Sequence, residues 1–139
     1  MLGDAKVGAF LCVRDRDGAK MFYTQTLGFG LDWNNQYKGR ACVFQVSLFG
    51  FELILNQIFD DTKDRAGHGR AFIGLEDDQA QALCEHIRAK GIEISHDDWG
   101  KPTLVIKDLD GNELFFWLPE SELTSLESEM AKRKAKPIL

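Results

Sequence analysis

Gly50-Phe51-Glu52-Leu53-Ile54-Leu55 and Gly111-Asn112-Glu113-Leu114-Phe115-Phe116 share one pattern: glycine, a free position, Glu-Leu, then two apolar residues. Each reads as a turn glycine that releases a short strand. Working outward, the same signals precede both. The apolar run 7–13 ends at Arg14-Asp15, and the run 71–75 ends at Glu76-Asp77. A helical stretch follows each: 17–27 with Ala19 and Phe22 inward and Gly28 as its stop, and 78–90 with Ala80, Leu83, Cys84 and Ile87 at helical spacing and Gly91 as its stop. Asp78 and Gln81 suit a capping box. Strands are then expected at 29–37, 41–48 and 51–56, and again at 92–95, 103–107 and 113–118. Two echoes in the same order indicate an internal repeat, β-α-β-β-β twice. Two unrelated α+β halves with common turn chemistry are the alternative.

The 139 residues fit one domain, with modules at about 6–57 and 70–118. Residues 57–69 lack periodicity and read as a linker. The tail, 119–139, reads either as a solvated helix or as a helix packing on a partner subunit through Leu123 and Leu126.

Composition narrows the function. Seventeen Lys and Arg against twenty-two Asp and Glu give a net charge of −5, which argues against nucleic-acid binding. No run is long enough for a signal peptide or a membrane span. Cys12, Cys42 and Cys84 are far apart and have no CxxC spacing, as expected for reduced thiols of a cytoplasmic protein. Ten Phe, three Trp and two Tyr are more rings than a small core requires.

Val13-Arg14-Asp15, Phe22-Tyr23 and Leu27-Gly28-Phe29 resemble the opening of glyoxalase, bleomycin-resistance and extradiol-dioxygenase relatives. Trp99-Gly100-Lys101-Pro102 and Lys107-Asp108-Leu109-Asp110-Gly111-Asn112 are similar to the closing hairpin of the bleomycin-resistance branch. The resemblance spans about residues 6–118. It implies an α+β fold in which two βαβββ modules form a curved mixed sheet, a cup that holds the ligand, often in a homodimer.

Catalytic relatives hold a divalent metal at four strand positions. The matching positions here are Gly8, Arg70, Phe115 and, depending on register, Glu52 or Ile54. Glycine and phenylalanine donate nothing, and a guanidinium repels a cation. One carboxylate cannot hold zinc, nickel or iron, so no metal or other cofactor is expected.

Strand alternation puts Gly8, Phe10 and Cys12, Glu52, Ile54 and Asn56, Arg70 and Phe72, and Glu113, Phe115 and Trp117 on the face of those lost ligands. Trp33, Phe44 and Trp99 are rim candidates. The expected ligand-binding set is therefore Phe10, Trp33, Phe44, Glu52, Arg70, Phe72, Trp99, Glu113, Phe115 and Trp117. Such a lining suits a flat, partly cationic organic ligand. The rings could equally fill the cup, and Glu52 with Arg70 could be a structural ion pair. Opposite faces, including Leu11, Val13, Leu53, Leu55, Leu114 and Phe116, would cover the helices.

A small-molecule binding protein of the bleomycin-resistance type is the first expectation, without catalytic residues. A lyase or dioxygenase with an atypical metal site near Glu52 and His68 is the alternative. His86 and His96 have no metal spacing, Ser47 and Ser95 lack an arranged base, and no phosphate-binding glycine loop exists.

Overall fold

The computed structural model describes residues 8–60, 62–98 and 102–135. The chain divides into two compact units: Met1–Arg70 together with Asp108–Asn112, and Ala71–Lys107 together with Glu113–Leu139.

The first unit holds β1 (Ala9–Val13), α1 (Arg16–Met21), β2 (Gly30–Tyr37), β3 (Arg40–Leu48) and β4 (Phe51–Gln57). Its sheet runs β1-β4-β3-β2, with β1 parallel to β4 and the other pairs antiparallel. Alternation is obeyed closely on β1 and β4. Leu11, Val13, Leu53 and Leu55 are each at most 1% exposed, while Phe10 on the other face is 60% exposed. The Asp15 carboxylate caps α1 by accepting from the Gly18 amide at 3.2 Å.

The helix expected over 17–27 is α-helical only to Met21. Phe22–Thr26 then form a wider π-helical turn, closed by the Leu27 amide on the Phe22 carbonyl at 2.9 Å. The Thr24 hydroxyl donates to the Lys20 carbonyl at 2.7 Å, the side-chain bonding that loosens a helical ladder. Within the turn Tyr23 is fully buried, at the centre of an edge-to-face chain of rings: Phe22–Tyr23, Tyr23–Phe29 and Phe29–Phe51, with centroids 5.8, 5.5 and 5.4 Å apart.

The second unit holds β5 (Arg70–Ile73, whose first residue groups with the first unit), α2 (Asp77–Lys90), β6 (Ser95–Asp98), β7 (Pro102–Lys107), β8 (Glu113–Phe116) and α3 (Glu120–Ala135). Its sheet order, β5-β8-β7-β6, repeats that of the first sheet. Two mixed four-stranded sheets with helices are the α+β architecture expected.

Several boundaries differ from expectation. The amide of Glu76, not Asp78, is satisfied at the start of α2, by Gln79 Oε1 at 3.0 Å. The helix therefore begins one residue early and its cap moves back by two. The strand expected at 92–95 begins only at Ser95. Gly91 is left-handed (φ 64°) and the Ile92 amide bonds the Ile87 carbonyl at 3.2 Å, so these residues terminate α2 rather than pair. The tail forms a helix over Glu120–Ala135 that is solvated on one side, and the two leucines expected to meet a partner subunit pack within their own unit. Leu123 and Leu126 are buried in the second unit, where α3 meets α2 and β7. Arg88 Nε on α2 donates to Glu129 at 2.8 Å, and Arg133 donates to the Arg88 carbonyl at 2.7 Å. Cys84 is a buried residue of α2 that interacts with Glu122 of α3. Burial, followed by the charge of Glu122, pushes its thiol up.

The segment read as a linker is fixed at several points. The Ile58 amide donates to the Val13 carbonyl (2.9 Å), the Gly67 amide to Cys12 (3.2 Å), and Ala66 is 1% exposed. Its partners are backbone groups of β1, which leave no periodic trace in 57–69. The turn between β7 and β8 also joins the first unit. Asp108 Oδ1 accepts the amides of Asp110, Gly111 and Asn112 at 2.9, 3.0 and 2.9 Å. Asp108 Oδ2 accepts the Tyr23 hydroxyl (2.9 Å) and Asn112 Nδ2 (2.8 Å). Asn112 also donates to the Cys12 carbonyl at 2.9 Å and accepts the Gly69 amide at 2.8 Å.

Burial, and next the Asp108 carboxylate, pushes the Tyr23 phenol well above its ordinary value. The unfolded chain loses this proton near pH 10, while the folded chain keeps it. Stability should therefore be level below that pH and fall as pH rises further, by about 1.4 kcal/mol per unit, until the folded phenol ionises. Urea unfolding of wild type and Tyr23→Phe across that range should show the extra alkaline loss only in wild type. Parallel curves for the two proteins would refute it.

Candidate functional site

The first sheet buries one face, that of Leu11, Val13, Leu53 and Leu55, and the strand register shows which side chains meet on the other. In the first unit Phe10 pairs with Ile54, Ile54 with Gln45, and Gln45 with Trp33. Directly paired residues point the same way, so these four form one row across all four strands. Phe10 and Trp33, 60% and 39% exposed, stand at its two ends on the edge strands β1 and β2. Glu52, paired with Ser47, belongs to the adjacent row and is exposed.

The register of β2 shifts between Leu31 and Trp33, leaving Asp32 as the extra residue of a bulge. Its carboxylate accepts Gln45 Nε2 at 3.0 Å and Ser47 Oγ at 2.9 Å. Asp32 therefore lies over the same face as Trp33. Regular alternation would have sent the two to opposite faces, so sequence reasoning missed Asp32; Gln45 and Ser47 were missed because alternation along β3 does not give its register on β4, which sets them opposite Ile54 and Glu52. Only the bulge sets Asp32 and Trp33 on one face, and nothing in the local composition marks it.

In the second unit Phe72 and Trp117, 44% and 39% exposed, meet edge-to-face with centroids 4.8 Å apart. Phe72 is on the edge strand β5, and Trp117 follows the end of β8. Glu113 opens β8 and is half-buried.

Two expected lining residues do not line anything. Phe44 is fully buried, because its register with Leu55 places it on the helix-covered face. There the Arg16 guanidinium lies 5.9 Å from its ring centre. Phe115 is 1% exposed; its partner Val105 is 3% exposed, and both lie on the central strands of the second sheet. Exposed rings sit at or beyond sheet edges and buried ones inside, a distinction that alternation alone does not carry. Trp99 lies outside the described residues. Arg70 is exposed like Glu52, so a core ion pair between them does not describe either residue.

The donor set does not fit a divalent metal. Gly8 has no side chain, Phe115 is a buried hydrocarbon and Arg70 is a cation. His68 is 64% exposed at its side chain and pairs with Asp64 at 3.1 Å. Among the described residues, no three His, Cys, Asp or Glu side chains are grouped to hold a metal. No helix among them is long and apolar enough to cross a membrane.

The fold recurs in solved structures. TnmS3, an antibiotic binding protein from Streptomyces sp. CB03234, is 24% identical, with a TM-score of 0.63 over 86% of this chain and 100% of its own. The bleomycin-binding protein from Streptomyces verticillus, solved with copper(II)-bleomycin, is 18% identical, with a TM-score of 0.63 over 86% of this chain and 100% of its own. Lactoylglutathione lyase from Agrobacterium tumefaciens is 18% identical, with a TM-score of 0.57 over 82% of this chain and 92% of its own. At these identities the likeness shows the fold alone. No curated protein matches the chain. The sequence matches the Glyoxalase/Bleomycin resistance protein/Dioxygenase superfamily over residues 7–116, and the chain belongs to that superfamily.

Proposed function

We propose that this protein binds and sequesters a flat, hydrophobic or aromatic and partly cationic small molecule, without a metal and without turning it over. The row Phe10–Ile54–Gln45–Trp33 carries this reading: two exposed rings flank an apolar and an amide side chain on an open sheet face. Exposed rings in register cost solvation in the free protein and are recovered by stacking. Phe72 and Trp117 offer a second aromatic surface of the same kind. Structural relatives that bind an antibiotic and bleomycin support the reading at the level of fold. The metal-dependent lyase or dioxygenase is disfavoured by the donor chemistry at Gly8, Arg70 and Phe115. The cytoplasmic homodimer and a role in antibiotic resistance belong to the same proposal.

A thermal-shift screen of planar aromatic compounds, including antibiotics, should return stabilising ligands. The protein should run at twice its 15.7 kDa chain mass in light scattering. Phe10→Ala and Trp33→Ala should each weaken such a ligand by about tenfold or more. Both side chains are exposed, so unliganded stability should move by only about 0.5 kcal/mol. Ligand affinity that survives both substitutions, or stoichiometric metal in the purified protein, would sink the proposal.

A further inference from the structure

We propose that Asp32 selects a positively charged group on the ligand, with Gln45 and Ser47 as its positioning residues. This inference rests on reading the first unit's open face as the ring-binding surface. An unaided aspartate on an edge strand would sample several rotamers. Here each carboxylate oxygen is held by a different side chain of β3, Oδ2 by Gln45 Nε2 at 3.0 Å and Oδ1 by Ser47 Oγ at 2.9 Å. A carboxylate has about four acceptor positions, so two donors fix it and still leave it able to accept from a ligand. None of the four is a core residue: Asp32 and Trp33 are exposed, and Gln45 and Ser47 are half-buried.

The bulge makes the placement specific. It adds Asp32 beside Trp33 on one face, so a fixed negative charge adjoins an exposed indole whose direct partner is Gln45. Indole and carboxylate both attract a cation, the first through its π face and the second by charge-assisted hydrogen bonding. The chemical class that satisfies both is a planar ring system bearing a protonated amine or amidine. Glu52, opposite Ser47, has no such pair of fixing donors among the described residues and serves as the comparison.

Three planar probes of similar size test this by fluorescence titration: the aminoacridine cation, neutral acridone and the anthracene carboxylate anion. Wild type should prefer the cation to acridone by about five- to tenfold and bind the anion most weakly. Asp32→Asn should bring the cation-to-neutral ratio near one. Ser47→Ala keeps the charge but should lose about threefold of the ratio, and Ser47→Thr should restore it. Glu85→Gln, a remote neutralisation on α2, should leave the ratio intact. A ratio that survives Asp32→Asn, or falls only in Glu52→Gln, overturns the assignment to Asp32. An unchanged ratio in Ser47→Ala overturns the positioning role. Ring binding without charge preference overturns this inference alone, whereas no binding of any probe by wild type overturns the ring-surface reading with it.

Discussion

Asp108→Ala is expected to cost on the order of 4 kcal/mol and to lower the melting temperature by roughly 10 °C or more. The residue is 8% exposed, yet its carboxylate is not left uncompensated, because five donors converge on it. Removing the acceptor leaves the Tyr23 hydroxyl buried without it and takes the side-chain acceptor away from the amides of Asp110 and Asn112. Each buried orphan costs about 1–3 kcal/mol. The Gly111 amide keeps a second acceptor, the Asp108 carbonyl at 3.2 Å, and Asn112 Nδ2 keeps the Cys12 carbonyl.

Asp108→Asn should be milder, about 2 kcal/mol. An amide oxygen can still take the three turn amides, but its NH2 then faces Asn112 Nδ2, donor against donor. Tyr23→Phe, which removes one donor and leaves the carboxylate otherwise satisfied, should be mildest of all at about 1 kcal/mol. Urea denaturation of the three variants should give that order, and a double-mutant cycle between Tyr23 and Asp108 should show coupling. An alanine variant within 1 kcal/mol of wild type would mean that water replaces the carboxylate and that the turn is not a fastening point.

The same residues show how far the sequence can be read. Asp108, Asp110, Gly111 and Asn112 identify a tight hairpin by composition alone, since each residue type favours or tolerates the turn conformation. The second role of Asp108 and Asn112, bonding the turn residues to Tyr23, Cys12 and Gly69 within the first unit, depends on contacts distant in sequence and leaves no local trace. Strand faces on β1 and β4 were legible because period-two alternation is a local property. Phe44 and Phe115 were misplaced for a related reason. Alternation along one strand does not give its register on the next, which set Phe44 opposite Leu55 on the helix-covered face, nor whether a face is covered, which decided Phe115. Asp32 was missed because a bulge breaks the period itself. The repeat set the fold, while the site depends on its irregularities.

Gly67→Ala is expected to destabilise by about 3 kcal/mol or more, the larger part from contact rather than from backbone conformation. Gly67 sits at φ 84°, where an L side chain already costs about 1–2 kcal/mol. A Cβ added there would also fall inside the contact radius of the Asp110 carbonyl oxygen and 3.0 Å from its carbon. Neither backbone is free to yield. The Gly67 amide is tied to the Cys12 carbonyl, and Asp110 is held by its own amide on Asp108 and by the Arg14 amide on its carboxylate at 3.1 Å. Gly39 is the matched control, because its φ of 75° is nearly the same and an added Cβ meets nothing within 4 Å. Gly39→Ala should therefore cost only the conformational part, about 1 kcal/mol. The difference between the two glycines measures how firmly 57–69 is held against the Asp108–Asn112 turn. Equal costs in chemical denaturation would show that the segment shifts to accommodate a methyl group, as a true linker would.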